Sequence, residues 1–340
     1  MRALVIHGAK DLRLEERPEP ELAPGEVLVR VEGAGICGSD LHYVQHGGIG
    51  TAIRVKAPMV LGHEAAGRVV SGGDLEPGTL VAISPSRPCA VQGIDPCEEC
   101  REGRQNHCRN MRFYGSAMPW PHIDGVYADA LSVKPAQLHA LGDHVTPAMA
   151  ALAEPLAVCL HAVGRAGDVS GARALVTGCG PIGALCAAVL AHRGAEVTVT
   201  DLADAPLKVG RQMGAHHAVN VRHAKPEGPF DLMLECSGTE AAIAASIEHL
   251  RPRAVLVQVG MGGDMTMPMQ RIVAREIEVR GAFRFHQEFA EAARLIDEGA
   301  LALAPLLSAS FPPERAADAF ALAADRGRAM KVTINFGETA

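Results

Sequence analysis

The segment Ala174–Gly183 reads Ala-Leu-Val-Thr-Gly-Cys-Gly-Pro-Ile-Gly and runs straight into the apolar stretch Ala184–Ala191. A short apolar run, a G-x-G-x-x-G turn and a helix-like run in that order predict strand, tight turn and helix, the start of a βαβ unit. The whole of Ala174–Ala191 is uncharged and nearly long enough to span a membrane, but its glycines and Pro181 break it into these pieces. Gly178 permits the tight turn, Gly180 lets a pyrophosphate reach the backbone at a helix N-terminus, and Gly183 lets helix and strand pack closely, with Ile182 in the first helical turn. Asp201 lies 18 residues beyond Gly183 at the end of the next strand-like segment, placed to accept hydrogen bonds from an adenosine ribose. The plainer alternative is a glycine-rich turn with no ligand, which this strand–turn–helix context disfavours.

The same alternation continues. Glu196–Asp201, Ala218–Val221, Leu232–Cys236 and Ala254–Val259 read as strands, and Ala148–Val163, Pro181–His192, Ala205–Met213 and Glu240–Leu250 as helices. Strands and helices alternating at this spacing predict an α/β unit with a doubly wound parallel sheet over residues 151–290. Residues 1–150 differ: Ala3–Ile6, Asp11–Glu15, Glu26–Glu32, Gly67–Ser71 and Thr79–Ser84 are short strand-like runs between Gly and Pro turns, and no helix of ordinary length is expected there. The end of the chain, about 290–340, carries helices at Glu288–Asp297 and Arg315–Ala324 and a strand at Lys331–Asn335; it is assigned to the first unit.

Charge narrows the partners. The 340 residues include 32 Lys and Arg against 39 Asp and Glu, a net charge of −7, so neither nucleic acid nor an anionic membrane is expected as a partner. The first apolar run is too short for a signal-peptide core, and a cytoplasmic location is expected. Nine cysteines in such a chain suggest metal binding or packing before disulfides.

Cys89, Cys97, Cys100 and Cys108 fall within one Pro- and Gly-containing loop, and four soft ligands at that spacing suit a tetrahedral structural zinc. Two disulfides or four buried thiols are the alternatives; a reducing compartment argues against the first, and Glu98, Glu99, Arg101 and Glu102 against the second. A second set is scattered: Cys37 in Cys-Gly-Ser-Asp-Leu-His42, His63 and Glu64 in Gly62-His-Glu, and Glu154 before Pro155. Taken singly these are a core thiol, a satisfied histidine and helix-start carboxylates. Spacing alone cannot assemble them.

In their order along the chain, Gly62-His-Glu-Ala-Ala-Gly67, the four-cysteine loop and Gly178–Gly183 resemble the zinc-dependent medium-chain alcohol dehydrogenases, from residue 3 to about 336. Cys37–Tyr43, Lys56–His63 and Glu154–Val158 look like the polyol dehydrogenases of the sorbitol type. Met111–Met118, Pro121–Gly125 and Val257–Gly263 look more specifically like the L-idonate 5-dehydrogenase branch. One departure is the seven-residue gap between Cys89 and Cys97, where the family usually has C-x2-C.

The resemblance implies a GroES-like β-rich catalytic domain (1–150, completed by about 290–340) and a Rossmann domain (151–290). It implies catalytic zinc held by Cys37, His63 and Glu154, with Glu64 as an exchangeable carboxylate ligand, and NAD, less readily NADP, as hydride carrier. Ser39 would start a proton relay that His42 continues, or would simply cap a loop. Tyr43 would line the substrate pocket and Arg284 would contact a polyol; Val259, Phe283 and Arg284 would frame the nicotinamide. Arg112 is either a carboxylate partner or a surface arginine. The implied substrate is a polyol or aldonate, with L-idonate oxidised to 5-keto-D-gluconate as the leading activity. Sorbitol-, xylitol- or threonine-type dehydrogenases, or a non-catalytic cofactor-binding relative, are the alternatives. Homodimers or homotetramers are expected, with the apolar strand Ala254–Val259 near a sheet edge available for pairing.

Overall fold

The structure is a computed structural model that describes residues 1–337. The chain opens with strands β1 (Arg2–Gly8), β2 (Asp11–Glu16) and β3 (Val27–Gly35), helix α1 (Gly38–His46), and strands β4 (Glu64–Ser71), β5 (Leu80–Ile83), β6 (Ala130–Val133) and β7 (Leu138–Leu141). In β3, Val27, Val29 and Val31 are buried while Arg30 between them is exposed, the two-residue period of a half-buried strand.

Helix α2 (Ala153–Ala166) leads into β8 (Arg173–Thr177), α3 (Pro181–His192), β9 (Glu196–Asp201), α4 (Asp204–Gln212), β10 (His217–Asn220), β11 (Phe230–Glu235), α5 (Glu240–Ser246), β12 (Leu250–Gln258) and β13 (Glu278–Gly281). These six strands form one parallel sheet in the order β10-β9-β8-β11-β12-β13. Its two halves run outward from β8 and β11, so a crevice opens at their carboxyl ends, where such sheets bind ligands. The apolar span Pro147–Ala166 has the length and composition of a membrane helix, but 67% of its most apolar window is buried in the fold, where α2 packs against α3.

Helix α6 (Glu288–Asp297) is followed by β14 (Leu307–Phe311), α7 (Ala316–Ala324) and β15 (Lys331–Asn335). β15 runs antiparallel to β3, with Thr333 opposite Gly35, and completes a seven-stranded sheet ordered β7-β5-β4-β3-β15-β14, with β6 also on β3.

Several elements differ from expectation. Helix α1 lies where no ordinary helix is expected; its residues carry no apolar stripe, and only Asp40 and Tyr43 are buried. Asp40 accepts from the Cys37 N–H at its start and Gly47 closes it in the left-handed conformation, so capping makes this helix, not amphipathicity. The run Ala148–Val163 is broken at residues 151–152, between a short helix Pro147–Ala150 and α2. The run Glu240–Leu250 stops being α-helical after Ser246, and Leu250 already belongs to β12. Strands β13 and β14 are not among the expected strands: β13 is four residues with a single apolar side chain, whereas β14, Leu-Ser-Ala-Ser-Phe, does alternate. β13 forms the sheet edge, so Val255–Gln258 of β12, paired on both sides, lies inside the sheet, against the edge position expected for Ala254–Val259.

Candidate active site

The ligand-capable atoms of Cys37, His63 and Glu64 lie within 4.8 Å of one another. Cys37 precedes α1, and His63 and Glu64 sit where the chain enters β4. The left-handed Gly62 makes that entry possible, because a Cβ there would stand 2.4 Å from the Tyr127 ring. Asp40 is fully buried and ties the group together: its Oδ2 accepts from Cys37 N (3.0 Å) and Tyr127 Oη (2.8 Å). Its Oδ1 has no hydrogen-bond partner among the described residues and faces His63 Nδ1 at 3.7 Å, so Nε2 is the ring nitrogen that does not face Asp40. Burial by itself would make the imidazole less basic, yet Asp40 and Cys37 outweigh it and hold His63 well above its ordinary value. Glu64 gives both oxygens to Lys331 Nζ at 2.7 Å, in a pair almost sealed from solvent. Glu154, in the first turn of α2, is buried beside them but outside the 4.8 Å group. Burial pushes its carboxyl up to about 7, with His63 opposing and Glu64 reinforcing the shift.

A thiol, an imidazole and a carboxylate that converge, with the buried Glu154 carboxyl alongside and an Asp40 oxygen behind the imidazole, fit a divalent cation of the zinc type. Phe113 walls the site: its ring lies 5.9 Å from that of His63, and the Arg284 guanidinium stacks on it at 3.9 Å. Arg284 has a left-handed backbone (φ 54°) and bonds only the Met118 sulfur, at 3.5 Å; no carboxylate pairs with it among the described residues. Burial lowers its pKa to about 10 against the pull of Glu154 and Tyr43. Tyr43 is buried, and its Oη accepts from Ala117 N at 3.1 Å.

The four loop cysteines also converge, their sulfurs within 4.8 Å of one another. Cys89 lies 3.5 Å and Cys97 3.9 Å from Cys108, too long for disulfides. Zinc–sulfur bonds of about 2.3 Å in a tetrahedron would set sulfurs roughly 3.8 Å apart, so the donors fit zinc despite the wide Cys89–Cys97 spacing. The backbone N–H groups of Cys100 and Arg109 pull the Cys97 thiol down to about 6, and Cys89 accepts from Cys97 N and Asn110 Nδ2. These donors favour thiolates at Cys89 and Cys97, while burial holds the Cys100 thiol up and pushes that of Cys108 to about 12.

At the crevice of the parallel sheet, Gly178 is left-handed, and a Cβ on Gly183 would stand 1.8 Å from its carbonyl oxygen. Gly180 caps α3 and has open space where a Cβ would be, the room a pyrophosphate needs. Asp201 Oδ2 accepts from Cys179 N (2.8 Å), and its Oδ1 from Leu202 N (2.7 Å) and Ala203 N (3.0 Å), so it fixes both turns. Ile182 and Val259 flank this floor, packed on the core.

Besides Asp40, Phe113 and Tyr127, two more site residues carry no flag in the sequence. Glu235 is fully buried and accepts from Thr177 Oγ1, Ser237, Gly238 N and Gln258 Nε2, tying together the ends of β8, β11 and β12. Lys331 is the other. A cation opening the otherwise uncharged strand Lys331–Asn335, and an acid closing the apolar run Leu232–Leu234, were the available signals. Among the predicted residues, Ser39 and His42 share one helix without a hydrogen bond between them among the described residues, and His42 is exposed. Arg112 pairs backbone to backbone with Arg87 in a two-residue ladder beside Phe113.

The family described as the alcohol dehydrogenase GroES-like domain matches residues 23–143, and that described as zinc-binding dehydrogenase matches 181–298. The chain is 40% identical to the L-idonate 5-dehydrogenase (NAD(P)(+)) of Escherichia coli K12 over 345 residues, covering 98% of each protein. It is 37% identical to the sorbitol dehydrogenase of Gallus gallus over 354 residues, covering 99% of this chain and 97% of that one. The crystal structure of L-idonate 5-dehydrogenase from Escherichia coli superposes with a TM-score of 0.93 at 38% identity, over 98% of this chain and 97% of that one. That of 2R,3R-butanediol dehydrogenase from Bacillus subtilis gives 0.86 at 26% identity, over 98% and 99%.

Proposed function

Because the chain belongs to the zinc-dependent medium-chain alcohol dehydrogenases, in the polyol dehydrogenase branch, we propose that it oxidises a secondary hydroxyl of a sugar acid, L-idonate in the first instance, with NAD. It is a GroES-like domain joined to a Rossmann domain, and it works as an NAD(P)-linked dehydrogenase. Cys37, His63 and Glu154 would hold the catalytic zinc, with Glu64 as the exchangeable ligand, and Cys89, Cys97, Cys100 and Cys108 the structural one. Bound zinc supplies Lewis-acid polarisation of the substrate hydroxyl, and bound NAD supplies the hydride acceptor. Asp40 fixes the His63 ring, and Lys331 neutralises Glu64, so the site keeps its charge balance in a buried place. Ser39 Oγ takes the substrate proton and passes it towards His42 at the exposed face of α1. Phe113 and Tyr43 exclude water from the reacting end. The N-terminus of α3 takes the pyrophosphate and Asp201 the adenosine ribose, while Val259 and Phe283 border the nicotinamide. The assembly proposed is a cytoplasmic homodimer or homotetramer.

The single observation behind the choice of a sugar acid is Arg284. A guanidinium in the wall of the site, stacked on Phe113 and lacking an acid partner among the described residues, is a ready fork for a substrate carboxylate. The test compares L-idonate with L-iditol, the neutral polyol that lacks the carboxylate. Arg284→Met is expected to cut kcat/KM for L-idonate about a hundredfold and for L-iditol less than about tenfold, the difference reflecting a lost charge-assisted bidentate bond. Equal losses on both substrates would refute the carboxylate role.

NAD preference rests on Asp201 and Asp204, with no Arg or Lys between Asp201 and Lys208 to receive a 2′-phosphate. NAD is expected to exceed NADP by at least about tenfold in kcat/KM, or roughly 1.4 kcal/mol of transition-state binding. Asp201→Ala should narrow the gap, chiefly by weakening NAD use. A preference for NADP in the unmodified protein would overturn the argument.

A further inference from the structure

The four-cysteine loop reaches into the substrate wall. Asn106, buried in the turn just before Cys108, donates through Nδ2 to the Phe283 carbonyl at 3.0 Å. The neighbouring His107 ring stacks on the Phe283 ring, centroids 5.8 Å apart and planes 28° apart. Phe283 immediately precedes Arg284, whose φ of 54° is a backbone conformation that a residue with a Cβ avoids unless its surroundings impose it. On the far side Phe285 is buried against Phe113, the ring on which the Arg284 guanidinium also lies. The segment Phe283–Phe285 is thus gripped at both ends, and Asn106 is the only side chain of the loop that hydrogen-bonds it among the described residues.

We infer that Asn106 is a positioning residue for substrate binding: it holds the Phe283–Arg284 peptide in the left-handed conformation that aims the guanidinium into the site. The metal loop is then a specificity element as well as a structural one. This rests on the reading of Arg284 as the carboxylate partner. A hydrogen bond to the carbonyl one residue before the strained position fixes that peptide plane, and a misplaced fork loses its two-point fit before it loses its charge.

The test measures Asn106→Ala alone and combined with Arg284→Met, using the zinc-loaded enzyme. Readouts are KM and kcat for L-idonate, KM for NAD, zinc per chain, and L-idonate affinity of the NADH-bound protein by calorimetry. Asn106→Ala is expected to raise KM and Kd for L-idonate about tenfold, the upper range for one buried hydrogen bond, with KM for NAD within about twofold and zinc content unchanged. In the Arg284→Met background it should add nothing, since its effect passes through that side chain. If Asn106→Ala sheds the loop metal, Asn106→Leu is used instead, which roughly keeps the volume and removes the donor without adding a charge. Additive losses in the Arg284→Met background, or an unchanged KM and Kd at full zinc content, overturn the inference. Equal losses on L-idonate and L-iditol in Arg284→Met alone mark failure of the premise, a separate result.

Discussion

Cys37→Ser is expected to abolish turnover, by on the order of a thousandfold or more, because Lewis-acid polarisation supplies several kcal/mol of the barrier reduction. A serine hydroxyl stays protonated near neutral pH and is a hard, poor substitute for a thiolate. Bound zinc should fall by about one ion per chain, with the ion of the four-cysteine loop retained. The fold should survive, since Cys37 leads α1 through its backbone N–H to Asp40, which serine keeps. Zinc analysis beside steady-state rates checks both parts. Full activity at unchanged metal content would end the catalytic assignment of Cys37.

The second large effect is on stability. Lys331 and Glu64 are 3% and 1% exposed, and Lys331 Nζ bridges both Glu64 oxygens and the Ile36 carbonyl. Burial disfavours the ammonium, but Glu64 and Cys37 more than offset this and keep the lysine above its ordinary value. Lys331→Met therefore leaves an uncompensated carboxylate inside the protein, at a cost of about 3–5 kcal/mol. Adding Glu64→Gln should restore most of that stability, because the two changes act on one pair. Urea unfolding of the single and double variants measures it. If the double variant is as unstable as the lysine variant alone, then packing of the Lys331 stem, not charge, is what matters.

The parts legible in the sequence are those encoded over short separations. The turn Gly178–Gly183 and the sulfurs of Cys89, Cys97, Cys100 and Cys108 each lie within one loop, so their spacing carries their geometry. Strands β8 and β9 and helices α3 and α6 show clear apolar patterning and stand where the patterning puts them. Cys37 and His63 lie on different elements; their pairing came from resemblance, because no periodicity links the start of α1 to the entry of β4. Lys331 is 267 residues from Glu64, and only the return of β15 to β3 brings them together. Asp40 went unremarked because α1 shows no apolar stripe and so gave no helix to place it on. Glu235 ends a strand like many acids do, and its burial depends on neighbours from three separate strand ends.

The most direct measurement of the central claim is kcat/KM of the zinc-loaded protein with NAD across L-idonate, L-iditol, D-sorbitol, xylitol and L-threonine. The account predicts turnover with L-idonate as the best substrate, by about tenfold or more over its neutral counterpart L-iditol, because Arg284 has no carboxylate partner among the described residues. Turnover of D-sorbitol or L-threonine above that of L-idonate, or no turnover of any of them at full zinc content, would contradict it.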